Sequence, residues 1–361
     1  MRDKIKITLI MILLVFSGYS QSTNSQIEKY LDQIDNEDFS GTILVAHNNE
    51  ILQERSYGYS SIEYEIKNKI DTKFNIASIT KMFTAVATLQ LYEQGKLELK
   101  KPIGNYLPDY PIKLVRDSVT VHQLLTHTSG LNNFYINDWE KIKNLDYKEI
   151  SGFLPLFVND TLLSKPGTKY DYSGSGFVVL GLIIEKISGD SYYNYVKKHI
   201  LNPSQMFETT ELEIDSIVKN KASGYTSMFG ENKILKKNDY YLTKASPAGF
   251  YYSTVKDLFN FSKALRNFKL LEKETTELMF EPKIKGYNTQ LGYGIDVDNR
   301  YNQTILGHSG GWYGIHCELM NFMEDNYTVI ILSNIDDGGD NGASKVADKF
   351  KNLLADKTLE K

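Results

Sequence analysis

Residues 75–86 read NIASITKMFTAV, which sets the Ser78 hydroxyl three residues ahead of the Lys81 amine. An apolar helical pattern runs on from Ser78 to Gln94, with Gly95 as its stop. Residues i and i+3 share a helix face, so the amine can reach the hydroxyl. Burial lowers a lysine's proton affinity and makes the amine a proton acceptor. The helix N-terminus adds free N–H groups where an oxyanion would form. The plain alternative makes Ser78 an N-cap, which accounts for the serine but not for a lysine at the head of an apolar helix. The same spacing recurs at Ser216/Lys219 and Ser253/Lys256. Lys219 sits in a polar stretch and reads as a solvated charge. Thr254-Val255-Lys256-Asp257 reads as a capping box opening a helix, which gives Ser253 an ordinary structural place.

A rival serine stands in TILGHSGGWYGIH, residues 304–316. Its centre, Gly307-His308-Ser309-Gly310-Gly311, satisfies G-x-S-x-G, the strand-to-helix elbow of one large hydrolase fold. That fold needs an acid and then a histidine after the serine. His316 is the only histidine that follows Ser309, and no Asp or Glu lies between them. Too little chain remains for the later strands of such a sheet, so Ser309 is expected not to be a nucleophile.

The chain's 361 residues suffice for one large or two ordinary domains. A hydrophobic content of 41% and a charged content of 24% are those of a globular protein. With a net charge of −4 and no Lys/Arg block, nucleic-acid binding is not expected. Arg2, Lys4 and Lys6 precede the apolar run Ile7 to Phe16, and Gly18 and Ser20 follow it. This pattern predicts a signal peptide over 1–20, cleaved after Ser20, and hence a secreted or periplasmic protein. An uncleaved anchor is the alternative, though the run is shorter than the about 20 residues a span needs. No cysteine follows the run to carry a lipid, and no stable membrane span is expected after cleavage. Cys317 is the only cysteine, so no intrachain disulfide can form, and it reads as a strand residue. The six histidines form no H-E-x-x-H or H-x-H-x-D set, and neither metal nor cofactor is expected. His127 reads as a loop residue that makes hydrogen bonds.

Along the chain, a short helix is expected around Ile27 to Ile34. Strands follow at Gly41–His47 and Glu50–Gly58, joined by a tight turn at Asn48-Asn49. Helices are expected at Val121–Thr126, Gly176–Ile187 and Ser191–Leu201. Strand patterns return at Leu291–Val297, Gln303–Gly307, Gly314–Phe322 and Tyr327–Ser333, and a terminal helix at about Ala343–Ala355. Strands at both ends with helices between them predict an α/β fold of the α+β type. Its mostly antiparallel sheet, flanked by helices, would be built from both chain ends, with a mostly helical lobe inserted. One domain over 21–361 is expected, with its α/β part at about 27–77 and 245–361 and its lobe at about 96–244.

Five stretches in order carry a resemblance. FNIASITKMFTAVATLQLYEQGKLELKKPIGNYLP (74–108), VTVHQLLTHTSGL (119–131) and KPGTKYDYSGSGFVVLGLIIEKISG (165–189) are followed by SPAGFYYSTVKDLFNFSKAL (246–265) and LGHSGGWYGI (306–315). The chain resembles the serine β-lactamase-like hydrolases, a group that includes class C β-lactamases, DD-peptidases and related esterases, from about Gly41 to Asn334. The resemblance implies that Ser78 forms an acyl-enzyme and that Lys81 and Tyr172 share the proton work. It implies an oxyanion hole from the backbone N–H groups of Ser78 and Gly311. His308-Ser309-Gly310 would line the substrate groove in place of the K-T/S-G triplet.

Two departures bear on substrate. His308 stands where relatives often carry lysine, and a neutral imidazole attracts a carboxylate less than an ammonium does. Gly174 stands where relatives carry the asparagine of Y-x-N. The resemblance therefore implies a hydrolase of a D-amino-acid peptide, ester or amide rather than an efficient β-lactamase. Its partner would be a small-molecule or peptide substrate, cell-wall-derived ones included. The alternative is a non-hydrolytic penicillin-binding-like sensor or binding module.

Overall fold

The computed structural model describes residues 23–34, 39–136, 149–211, 217–228, 234–238, 244–336 and 342–355. The expected signal segment 1–20 and Ser216 lie outside the described residues.

Asn48 and Asn49 both take left-handed backbone angles, φ 51° and 65°, as a two-residue hairpin turn requires. They join β1 (Gly41–His47) to β2 (Glu50–Tyr57). Six more strands come late in the chain: β3 (Ile284–Lys285), β4 (Gln290–Leu291), β5 (Asp296–Asp298), β6 (Ile305–Trp312), β7 (Ile315–Phe322) and β8 (Tyr327–Ser333). All eight form one antiparallel sheet in the order β2-β1-β8-β7-β6-β5-β4-β3. The expected union of the two chain ends is the β1–β8 pairing, which runs from Gly41 opposite Ser333 to His47 opposite Tyr327.

Alternation along the strands gives the sheet two apolar faces. Leu44, Leu306, Cys317, Leu319, Ile330 and Leu332 face a core shared with α1 (Thr80–Glu93) and, further along the chain, Leu258 and Phe261. Ile43, Val45, Met320, Phe322, Val329 and Ile331 face a second core, built with Ile27, Leu31, Val346 and Phe350. Cys317 is the strand residue expected of it, fully buried in β7.

Helices α2 (Val121–Leu125), α3 (Gly174–Ser188), α4 (Tyr192–Val196), α5 (Val255–Arg266) and α6 (Ala343–Leu354) complete the frame. Thr254 caps α5 by accepting from the Asp257 N–H, as the sequence suggested. The Asp257 carboxylate does not return the bond. It accepts from Glu208 N and Thr209 Oγ1 and ties α5 to the 208–209 loop.

Three differences from the sequence pattern bear on the site. Ala77–Ile79 forms a 3-10 turn of its own, so Ser78 precedes the α-helix instead of opening it. The expected strand Leu291–Val297 is broken by a turn in which Gly294 has φ 64°. The strand expected to stop at Gly307 continues to Trp312 because β7 pairs with all of it. β5 pairs only with Ile305, Leu306 and Gly307, so from His308 onward β6 has a sheet neighbour on one side only. That open edge is where the candidate site lies.

α3 packs closely on the 247–248 segment because Gly181 has no side chain. A Cβ there would lie 2.3 Å from Pro247 Cγ. Gly181→Val is expected to cost about 1–3 kcal/mol by overpacking, read as a lower midpoint in urea unfolding.

Candidate active site

The turn that carries Ser78 is held from several sides. Ala77 has φ 40°, a left-handed conformation that a side chain disfavours by about 1–2 kcal/mol. Its N–H donates to Asn75 Oδ1 at 2.9 Å, and its carbonyl accepts from Phe250 N at 3.2 Å. Cys317 Sγ donates to Asn75 O at 3.1 Å, so the sheet grips the same turn. β6 lies directly against it. A Cβ at Gly310 would come 2.5 Å from Ile76 O and 3.1 Å from Ser78 N, which requires glycine there. Ser78 is left half-buried at the wall of a cleft of about 450 Å³.

Lys81 sits fully buried one turn on, in a helix whose residues from Thr80 to Leu89 are all buried. Its Nζ donates to Ser78 Oγ at 3.1 Å and to the Ala248 carbonyl. The Tyr172 and Phe177 rings lie 4.9 and 5.6 Å from the same nitrogen. Among the described residues no carboxylate pairs with it, and burial alone brings its pKa down to about 7. At neutral pH much of Lys81 is therefore a free amine.

Tyr172 is buried, and desolvation holds its pKa far above the ordinary tyrosine value. A hydrogen bond with the Ser78 side chain works against that shift. The resting group is thus a phenol, not a phenolate. Ser78 stands between an amine and a phenol.

His127 is a hydrogen-bonding loop residue, as expected, and it also fixes Tyr172. Its backbone carbonyl accepts from Asp171 N at 2.8 Å, and its Nδ1 accepts from Ser173 N at 3.0 Å. Its ring stacks on the Tyr172 ring at 4.4 Å. The backbone is left-handed here, φ 56°, and among the described residues the buried Nε2 has no hydrogen-bond partner. Burial also lowers the His127 pKa well below its usual value, so the ring is neutral. The sequence gives no signal of this grip, which requires residues 127 and 171–173 to meet.

His308, Ser309 and Gly311 line the same cleft as Ser78 and Tyr172. His308 is buried, and its Nδ1 bonds the carbonyl of Ser309. Burial lowers its pKa and the Asp296 carboxylate partly opposes that. Ser309 is exposed in the middle of an extended strand and not on a strand-to-helix turn, which removes the geometry of a nucleophile elbow. Gly311 opens onto empty space.

Gly174 sits where a side chain would collide. A Cβ would lie 2.8 Å from Asn133 Oδ1 and 3.1 Å from the Tyr135 ring. Asn133 Oδ1 accepts from Gly174 N at 3.3 Å, so a carboxamide stands beside this slot, supplied by a different segment. Among the described residues, no group of three or more His, Cys, Asp or Glu could hold a metal ion, and no helix is long and apolar enough to cross a membrane.

The beta-lactamase family model matches residues 27–350. The chain belongs to that family. A relative named "Putative penicillin-binding protein PbpX", of Bacillus subtilis (strain 168), is 31% identical over 342 residues that cover 92% of this chain and 78% of that one. Among solved structures, a penicillin-binding protein from Bacillus halodurans superposes with a TM-score of 0.80 at 28% identity, covering 91% of this chain and 98% of that one. The D-amino acid amidase of Ochrobactrum anthropi SV3 shares the fold, with a TM-score of 0.78 at 22% identity over 92% of this chain and 98% of that one. The fold expected from the sequence, a largely antiparallel sheet flanked by helices, is this beta-lactamase-family fold.

Two outcomes test the geometry itself. Lys81 loses proton affinity on folding, from an ordinary 10.5 to about 7, so between those values the unfolded chain binds the extra proton. Stability therefore rises with pH across that window. The stability of wild type relative to Lys81→Met should improve as pH increases from 7 to 10, measured by urea unfolding. His127→Ala leaves the Ser173 N–H buried without an acceptor and should cost about 1–3 kcal/mol in the same assay.

Proposed function

We propose that this protein is an exported serine acyl hydrolase. It acts through a Ser78 acyl-enzyme on a D-amino-acid peptide, ester or amide, including substrates derived from cell wall. The observation that carries the proposal is the Lys81 amine, buried without a carboxylate and 3.1 Å from Ser78 Oγ. A lysine in that state is a general base at neutral pH.

Ser78 Oγ attacks the substrate carbonyl while its proton passes to Lys81. The negative charge on the carbonyl oxygen is met by the backbone N–H groups of Ser78 and Gly311. Tyr172, a phenol that bonds Ser78 and lines the cleft, hands a proton to the leaving nitrogen or oxygen and is reprotonated from Lys81. Water then attacks the acyl-enzyme along the same proton route and frees Ser78. His308, Ser309 and Gly310 form the wall along which the substrate lies, with Gly310 also keeping β6 against the nucleophile's turn. Export by a signal segment over 1–20 belongs to the same proposal.

Incubation of the mature protein with a fluorophosphonate, followed by intact mass and peptide mapping, tests the assignment. One adduct is expected, at Ser78, and Ser78→Ala removes it. Labelling at Ser309 sinks the proposal. The acylation rate should rise with pH through about 7, following the fraction of Lys81 that is neutral. A flat profile across that range means that Lys81 is not the base. An adduct with no turnover of D-alanyl peptides, acyl esters or nitrocefin would instead favour a binding or sensor module.

A further inference from the structure

The cleft beyond Ser78 has an unusual charge balance. Its lining includes the carboxylates Asp296, Asp298 and Glu318 and the cations Arg300 and Lys351. Both cations are already engaged. Arg300 forms a two-point pair with Asp298, with contacts of 2.8 and 2.7 Å. Lys351 Nζ lies 3.2 Å from Asp348 Oδ1. Lys81 is turned onto Ser78 and the Ala248 carbonyl. His308, the residue a substrate carboxylate would have to meet, is buried and inclined to be neutral. Among the described residues, no free cation lines this cleft to receive a carboxylate.

Glu318 is hydrogen-bonded to His316 at 3.1 Å. Asp296 is different. It lies within electrostatic reach of His308, Tyr170 and Tyr172 and of the carboxyl groups of Glu318 and Asp298, it is hydrogen-bonded to Thr289, desolvation raises its pKa, and among the described residues no lysine or arginine pairs with it. Two aromatic rings complete the same wall. Tyr170 and Tyr287 meet edge to face at 5.0 Å, and both line the cleft. A half-buried carboxyl group without a cation is pushed towards its neutral form, and an ammonium seated between it and the tyrosine rings supplies the missing partner for its charge.

We propose that Asp296, Tyr170 and Tyr287 form a subsite for a positively charged group of the substrate, so that the enzyme selects esters or amides carrying an ammonium and discriminates against those ending in a free carboxylate. The inference rests on the Ser78 hydrolase reading and adds the substrate class. It also explains why a lysine is absent at position 308. An ammonium there would compete with the substrate's cation for Asp296.

The test is a set of matched esters in which one position carries an aminoethyl, an ethyl or a carboxymethyl group. It is made twice, with the charge on the leaving part and on the acyl part. In at least one series, wild type should turn over the aminoethyl ester at least about tenfold more efficiently than the carboxymethyl ester, judged by kcat/KM. Asp296→Asn should reduce that ratio by about tenfold, since one full charge is removed. Tyr287 is 76% exposed, so Tyr287→Ala leaves no cavity, and it should reduce the ratio by about threefold. A wild-type ratio near one in both series, or a ratio unaltered in Asp296→Asn, overturns the subsite. Fluorophosphonate labelling of the same preparations separates the two readings. A Ser78 adduct without charge preference rejects the subsite alone, and loss of both adduct and turnover rejects the hydrolase with it.

Discussion

A lysine buried in an apolar helix without a carboxylate must either unload its proton or recruit dipoles, because an isolated ammonium is not tolerated at low dielectric. Lys81 does both. Its pKa falls to about 7, and the Ala248 carbonyl, the Ser78 hydroxyl and the faces of Tyr172 and Phe177 surround the nitrogen. These four neighbours come from three segments: the turn before α1, the loop before α5, and the start of α3. The packing of α1 against α3 and the 247–248 segment is therefore also what gives the amine its chemistry. A lysine–carboxylate pair at the same place would have kept the amine charged and useless as a base.

The sheet enters through the nucleophile's turn. Ala77 is held left-handed by Asn75 and Phe250, and the absence of a side chain at Gly310 lets β6 approach the turn's backbone. Cys317 adds a third hold from β7. Backbone strain at one residue is thus sustained by contacts from two strands and a loop. The only cysteine of the chain serves the rigidity of that turn, and its buried thiol has a pKa raised by desolvation.

Gly174 and Asn133 show how a family pattern can be redistributed. The slot that holds asparagine in Y-x-N relatives has no side chain here, yet the space above it is filled by the Asn133 carboxamide and the Tyr135 ring. His308 makes a comparable exchange, where an imidazole of lowered pKa stands near the Asp296 carboxyl group in place of the lysine that the resemblance implies. Both substitutions alter the electrostatics of the cleft and leave the Ser78, Lys81 and Tyr172 cluster intact.

Much of this molecule is legible in one dimension, for reasons of local physics. The Asn-Asn hairpin, the alternation at the start of β7 and the threonine cap of α5 are encoded within a few residues. So is the three-residue spacing of Ser78 and Lys81, and the order of five landmark stretches carries the family. Other features depend on segments far apart in the chain. The extension of β6 to Trp312 is decided by β7, and the break at Gly294 by the turn that β4 and β5 must make. The depressed proton affinity of Lys81 requires burial that no local pattern reports. The His127 clamp on Tyr172, the Asn133 carboxamide beside Gly174 and the Asp296 carboxylate near His308 join residues 45, 41 and 12 positions apart, by their numbering. Sequence determined which groups this protein has and which helices and strands carry them. Tertiary structure alone decided which of them are dry, which are paired and which face the cleft, because solvation and Coulomb interaction depend on distance in space.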